Sequence, residues 1–191
     1  AEAGWTLKNG ALTNAKGEVF TIEFLDRDTS FQRVVGPFAE NLKRLGIEVS
    51  QRIVDAAQYQ RRQDEYDFDI LSLRTSMSPT PSEGIRMAWH SDQADKPGGS
   101  NLAGIRNPIV DALIEKALAA TTRAELTTAC RALDRVLRAG RYWIPHWYKA
   151  SHWIAMWDVF GRPAMKPRYN RAVQTTWWID RDKAKALGKG L

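Results

Sequence analysis

A single cysteine, Cys130, stands in 191 residues, so no intrachain disulfide can brace the chain. A reducing compartment and an unbridged periplasmic protein both fit that count. Histidine is nearly as scarce. His90, His146 and His152 are the only three, and they show neither i, i+4 pairing nor an HxxEH-type pattern, so no metal centre is legible. Long apolar runs are missing: no stretch approaches the ~20 consecutive apolar residues a membrane-spanning helix needs. No phosphate-binding glycine loop occurs, because Lys96-Pro97-Gly98-Gly99-Ser100 lacks both the spacing and the strand-to-helix setting. A G-x-S-x-G nucleophile elbow is absent too. His90-Ser91-Asp92 spells out a triad, but adjacent residues do not generally meet in triad geometry. Neither an enzyme nor a cofactor is expected from these residues.

What the chain does have is a moderate apolar content, 43%, with 26% charged residues and a net charge of +6. That composition fits one globular domain, or one domain plus a projecting segment. The basic residues are poorly arranged for nucleic acid: Arg61-Arg62 is followed by Asp64, Glu65, Asp67 and Asp69, and Lys43-Arg44 lies between Glu40 and Glu48. No nucleic-acid partner is expected. The eight tryptophans are more unusual; most lie between Trp89 and Trp157, with Trp177-Trp178 near the end. The sequence starts at Ala1 without methionine, basic n-region or apolar h-region, and is expected to begin inside a longer chain.

Along the chain, Lys8-Asn9-Gly10 and Asn14-Ala15-Lys16-Gly17 mark tight turns, since Asn and Gly adopt positive φ at low cost. A strand is predicted over Val19–Leu25. Phe31, Val34, Val35, Phe38, Leu42 and Leu45 then form one helical stripe, interrupted by Gly36-Pro37 and stopped by Gly46. A second strand is predicted from Ile47 to Val54, a short polar helix from Asp55 to Glu65, and a third strand over Phe68–Leu73. This rhythm predicts an α/β fold with a parallel sheet. Residues 74–106 are expected to be irregular, with a helical turn or two over Ser82–Trp89.

Two well-punctuated helices follow. One opens on Asn107-Pro108, the other on the capping box Thr122-Arg123-Ala124-Glu125. Cys130 falls on the apolar stripe of the second and is read as core. Tyr142–Tyr148 and Trp153–Trp157 are predicted as strands, the first interrupted by Pro145. A further extended piece is expected within Asn170–Ile179.

An ordered series of local patterns resembles the family 5 solute-binding proteins of ABC transporters, the peptide- and nickel-binding group. The series is Ala3-Gly4-Trp5 with Asn9-Gly10, the junction Leu45-Gly46-Ile47-Glu48-Val49, Tyr66-Asp67 before the third strand, Asn101 through Asn107-Pro108 to Asp111, and Pro145 with Trp147-Tyr148. The resemblance implies the C-terminal lobe of a class II periplasmic-binding-protein fold, with a central sheet flanked by helices. It implies a two-lobed whole that traps a peptide or peptide-like ligand between its lobes and docks on an ABC permease. The N-terminal lobe would then be missing from this chain, and residues from about 160 to 191 would return towards it. A periplasmic site is implied, or an extracellular, membrane-tethered one in a Gram-positive host, with membrane contact only through the permease. Thr75–Pro81 most resembles the oligopeptide and microcin-type importers. One departure stands out: family members that anchor a ligand amino group with an aspartate after the third strand find no acid here between Arg74 and Pro81.

Ligands in open α/β sheets sit beyond the carboxyl ends of strands. Arg74, Ser76 and Ser78 follow such an end and are candidate ligand contacts. Arg74 would favour a carboxylate or another anion. Trp89, Asn101 and Trp147 supply the polar group and aromatic faces that an extended peptide needs. Two alternatives stay open: a ligand-sensing module of the same fold in a regulatory protein, and an α/β enzyme using His90 or His146.

Overall fold

The computed structural model describes residues 2–76, 80–148, 150–151, 153–168 and 173–189. The chain divides into two compact units, residues 1–143 and 144–191.

In the first unit, β1 (Thr6–Lys8) and β2 (Ala11–Thr13) form an antiparallel hairpin. Asn9 and Gly10 turn it with φ of 51° and 82°, the pair of positive angles a two-residue hairpin requires. β3 (Thr21–Asp26) and β4 (Glu48–Ile53) pair in parallel from Thr21↔Glu48 to Asp26↔Ile53. The short β5 (Ile70–Leu71) joins the other side of β3, giving the order β4-β3-β5.

Between these strands run α1 (Gln32–Lys43) and α2 (Ala56–Asp64). Phe38 of α1 meets Phe24 edge-on at 6.0 Å, whereas Arg62 of α2 pairs with Glu23 at 2.7 Å. Successive strand residues point to opposite faces, so α1 and α2 cover opposite sides of the sheet. The chain is therefore α/β, with a parallel sheet flanked by helices. α1 runs through Gly36-Pro37 without interruption, and Leu45, expected on its stripe, is exposed beyond its end.

Packed by themselves are α3 (Gly84–Trp89), α4 (Pro108–Leu118) and α5 (Arg123–Gly140). Ile85, Ile105, Val110, Ile114, Leu133 and Leu137 form their buried core, with Cys130 packed at its edge. Asn107 caps α4 and the Thr122–Glu125 box caps α5, as the spacing predicts. Arg141, at φ 52°, ends α5.

Beyond α5 the structure departs from expectation. The described residues of 142–148 and 153–157 form no strand. Aromatic, β-branched sequence makes a strand only where a partner offers a ladder of hydrogen bonds, and Pro145 can donate none. The second unit holds β6 (Phe160–Gly161), α6 (Val173–Thr176), β7 (Trp178–Ile179) and α7 (Arg181–Ala186). β6 and β7 pair antiparallel; of the extended piece expected within Asn170–Ile179, residues 170–172 lie outside the described residues, and among the rest only Trp178–Ile179 is strand, after a helical turn.

Candidate functional site: the carboxyl edge of the parallel sheet

All three parallel strands end on one edge, where their connections leave the sheet. β3 hands over at Asp26 to Arg27 and Asp28; the Asp28 carboxylate accepts from Ser30 N at 2.8 Å and caps a single 3-10 turn, Thr29–Phe31, ahead of α1. β4 hands over to Asp55, whose Oδ1 accepts from Ala57 N and Gln58 N, both at 2.9 Å, and caps α2. β5 hands over to Ser72 and the segment that carries Arg74 and Ser76. The amino-terminal ends of α1 and α2 thus gather on the edge beside exposed Arg27 and Arg74, with the partial positive charge helix N-termini carry.

Three groups refine the electrostatics. Asp26 is buried, 5% exposed, and its Oδ2 accepts from Gln51 Nε2 at 2.7 Å. The Tyr59 hydroxyl of α2 donates to Ser72 O at 3.4 Å. Burial holds the Tyr59 phenol above its ordinary pKa, and the negative charge of Asp26 adds to this while Arg27 opposes it. The hydrogen bonds from Ser30 hold the Asp28 carboxyl below its ordinary value. The edge is polar, carries both signs of charge and suits an extended chain with alternating donors and acceptors.

The candidate residues fall into separate places. Arg74 and Ser76 are exposed and follow β5 on this edge; Ser78 lies outside the described residues. Trp89 lies at the end of α3. It packs on the helical core and meets Trp143 edge-on at 6.1 Å. Asn101 is buried: at 0% exposure, its amide donates to His90 O at 3.1 Å and Ile105 O at 3.0 Å while its Oδ1 accepts from Ile105 N at 3.0 Å. Every polar atom of that side chain is spent on its own loop, because an unpaired amide at that depth would be costly. Trp147 is 63% exposed in the second unit, its ring 5.4 Å from that of His146. Asp26, Asp28, Asp55 and Tyr59 escaped the sequence reading. An acid closing the apolar run Phe24-Leu25-Asp26 was the signal available.

Two further concavities lie elsewhere. A groove of about 430 Å³ on the α2 face is lined by Arg52, Arg61, Arg62, Glu23 and Asp67. Hydrogen bonds to Glu23 and then Asp67 hold the Arg62 guanidinium above its usual pKa. In the second unit a pocket of about 570 Å³ is lined by Ile154, Arg162, Pro163 and Trp177, with the Arg162 guanidinium 5.2 Å from the Trp177 ring centre.

Comparison with known proteins places this architecture. Residues 1–96 match the bacterial extracellular solute-binding proteins, family 5, middle region. The chain belongs to that family. Among family 5 relatives, the probable peptide-binding protein YejA of Agrobacterium fabrum is 40% identical over 93% of this chain and 29% of its own length. The peptidoglycan-binding protein YepA of the same organism is 36% identical over 93% of this chain and 29% of its own length. The chain therefore spans less than a third of these relatives. The oligopeptide-binding protein AppA of Bacillus subtilis, solved in complex with a nonapeptide, superposes with a TM-score of 0.69 at 21% identity, covering 93% of this chain and 35% of its own. That likeness carries the fold, which is the fold of a family 5 binding protein. Family 5 members are solute-binding proteins and not enzymes, and act outside the cytoplasm.

Proposed function

We propose that this chain is the C-terminal lobe of a longer, two-lobed extracytoplasmic protein that captures peptides or peptide-like solutes and hands them to an ABC import permease. The observation that carries the reading is the carboxyl edge of the parallel sheet in a family 5 chain. Two helix N-termini, two exposed arginines and hydroxyl groups meet there, beyond the carboxyl ends of the strands. A peptide between two lobes would satisfy its backbone groups on such an edge, directly or through water. The missing lobe supplies the facing wall, and the relatives' greater length leaves room for it. Residues from about 160 to 191 return towards that lobe in this reading.

A peptide or peptide-like solute is supported as the ligand by relatives named as a probable peptide-binding protein and as a peptidoglycan-binding protein. Native mass spectrometry of the full-length protein purified from its own host tests this. Retained masses that fragment as peptides or peptidoglycan peptides support the reading. A retained sugar or metal chelate overturns the peptide part of it, and a protein that binds no peptide in any preparation overturns it whole.

A further inference from the structure

We infer that the outward face of α5 is a docking surface for an anionic phospholipid bilayer, a contact the chain makes itself in addition to any made through a permease. α5 buries Ala129, Leu133 and Leu137 against the helical core, which leaves the opposite face to solvent. Arg131, Arg135 and Arg138 follow one another at intervals of four and three, the intervals that put side chains on one face of a helix. All three are exposed, along about 10 Å of helix. Thr127 and Thr128 continue the exposed surface, which carries no aromatic or large apolar side chain. Among the described residues Arg131 and Arg135 make no ion pair, and Arg138 has only its surface pair with Asp134 at 3.0 Å, a weak restraint in water. The acids packed near this helix belong to other elements: Glu83 and Glu115 share Arg86, and Asp92 stands beside His90.

Cations near the carboxyl end of a helix answer its dipole, but that effect fades within the last turn. It accounts for Arg138 and for Arg141, which ends the helix, and leaves Arg131 and Arg135 outside its reach. A protein partner fits less well, because protein interfaces bury an apolar or aromatic core and this face has none to offer. Nor is α5 built to insert into lipid: its apolar stripe is packed in the helical core, and no helix among the described residues is long and apolar enough to cross a membrane. What remains is charge alone, presented along a straight element. Guanidinium groups pair with phosphate oxygens through two parallel hydrogen bonds, and a layer of anionic headgroups offers such oxygens at any register. Contact of this kind is weak and reversible, which suits a protein that acts outside the cytoplasm and, in the role proposed above, returns repeatedly to a membrane permease. The competing surface is the basic tail. There Lys183 is held by Asp158 at 3.0 Å and Lys189 lies 4.2 Å from the Trp157 ring centre, so part of its charge is already engaged.

The experiment uses the full-length protein as wild type, as R131Q/R135Q and, for comparison, as R181Q/K185Q in the tail. Each is sedimented with vesicles of phosphatidylcholine alone or mixed with phosphatidylglycerol, at low and at high salt. No solute is added, so the outcome leaves the peptide reading untouched. Wild type is expected to bind the phosphatidylglycerol vesicles at least about tenfold more tightly than the neutral ones, and to lose that preference at high salt. R131Q/R135Q is expected to bind them at least about tenfold more weakly than wild type while melting at the same temperature, since glutamine is a good helix former. R181Q/K185Q is expected to keep most of the binding. Indifference of wild type to lipid charge overturns the assignment and makes an acidic protein surface the occupant of this face. Wild-type binding by R131Q/R135Q, or an equal loss in R181Q/K185Q, overturns it too. Should R131Q/R135Q fail to fold, arginine modification of wild type by phenylglyoxal, read by mass spectrometry, decides instead: phosphatidylglycerol vesicles must protect Arg131 and Arg135, and equal labelling with and without them defeats the assignment.

Discussion

Asn101 is a buried polar residue whose role its hydrogen bonds define. Asn101 closes its loop on itself and has nothing left to offer. Asn101→Ala is expected to leave the Ile105 amide and carbonyl without their Asn101 partner, while His90 O keeps its bond from Gln93 N, and to cost about 1–3 kcal/mol of stability, measured by urea unfolding. Peptide affinity of the surviving folded full-length protein should be unchanged. Acid response is also decided residue by residue. The backbone amide of Thr121, then that of Thr122 and the Thr121 hydroxyl, hold the Glu125 carboxyl below its ordinary value. The unfolded chain therefore takes up this proton at higher pH than the folded one does. The contribution of the capping box is fully present above the unfolded pKa and is lost as pH falls through the lowered folded pKa. Urea midpoints compared at pH 6 and pH 3 should fall less in Glu125→Gln than in wild type; an equal fall would remove Glu125 from the acid response.

Elements obey local rules here except where a partner is needed. The junction from α1 to β4 turns on Gly46, at φ +80°, and Leu12 N donates to its carbonyl at 2.7 Å. A Cβ there would lie 2.9 Å from Leu12 N, so the β1–β2 hairpin is built against the glycine. Gly46→Ala is expected to destabilise by more than about 1 kcal/mol, from left-handed strain plus displacement of the hairpin. A melting temperature equal to wild type would refute that. Capping residues and turns made these elements legible. The helices opened by Asn107-Pro108 and Thr122–Glu125 start where the sequence puts them, as does the Asn9-Gly10 turn. The aromatic run Tyr142–Tyr148 was not legible in this way. Its composition favours a strand, but a strand is a property of two segments, and no described strand lies alongside it.

For the molecule as a whole, the unit from 144 to 191 leaves Trp147, Tyr148, Trp153 and Trp157 exposed, from 63% to 88%. Aromatic surface of this extent is normally covered. Residues 1–191 expressed alone are expected to bind a hydrophobic dye such as ANS strongly and to bind peptides far more weakly than the full-length protein. Tight peptide binding by the isolated chain would defeat the single-wall reading. Arg74→Ala in the full-length protein is expected to weaken binding of peptides with a free carboxylate without lowering the melting temperature; unchanged calorimetric affinity would remove Arg74 from the site. By itself the sequence determined the α/β class, the helix starts and the membership in family 5, because periodicity, caps and short ordered motifs are local. It also put Arg74 and Ser76 after a strand end, which is a matter of chain order. Only the tertiary structure decided that Asn101 is buried and bonded to His90 and Ile105, that Trp89 packs against the helical core, and that Asp26 is buried beside Gln51. Burial and pairing depend on what distant segments bring to a residue, and no local pattern encodes that.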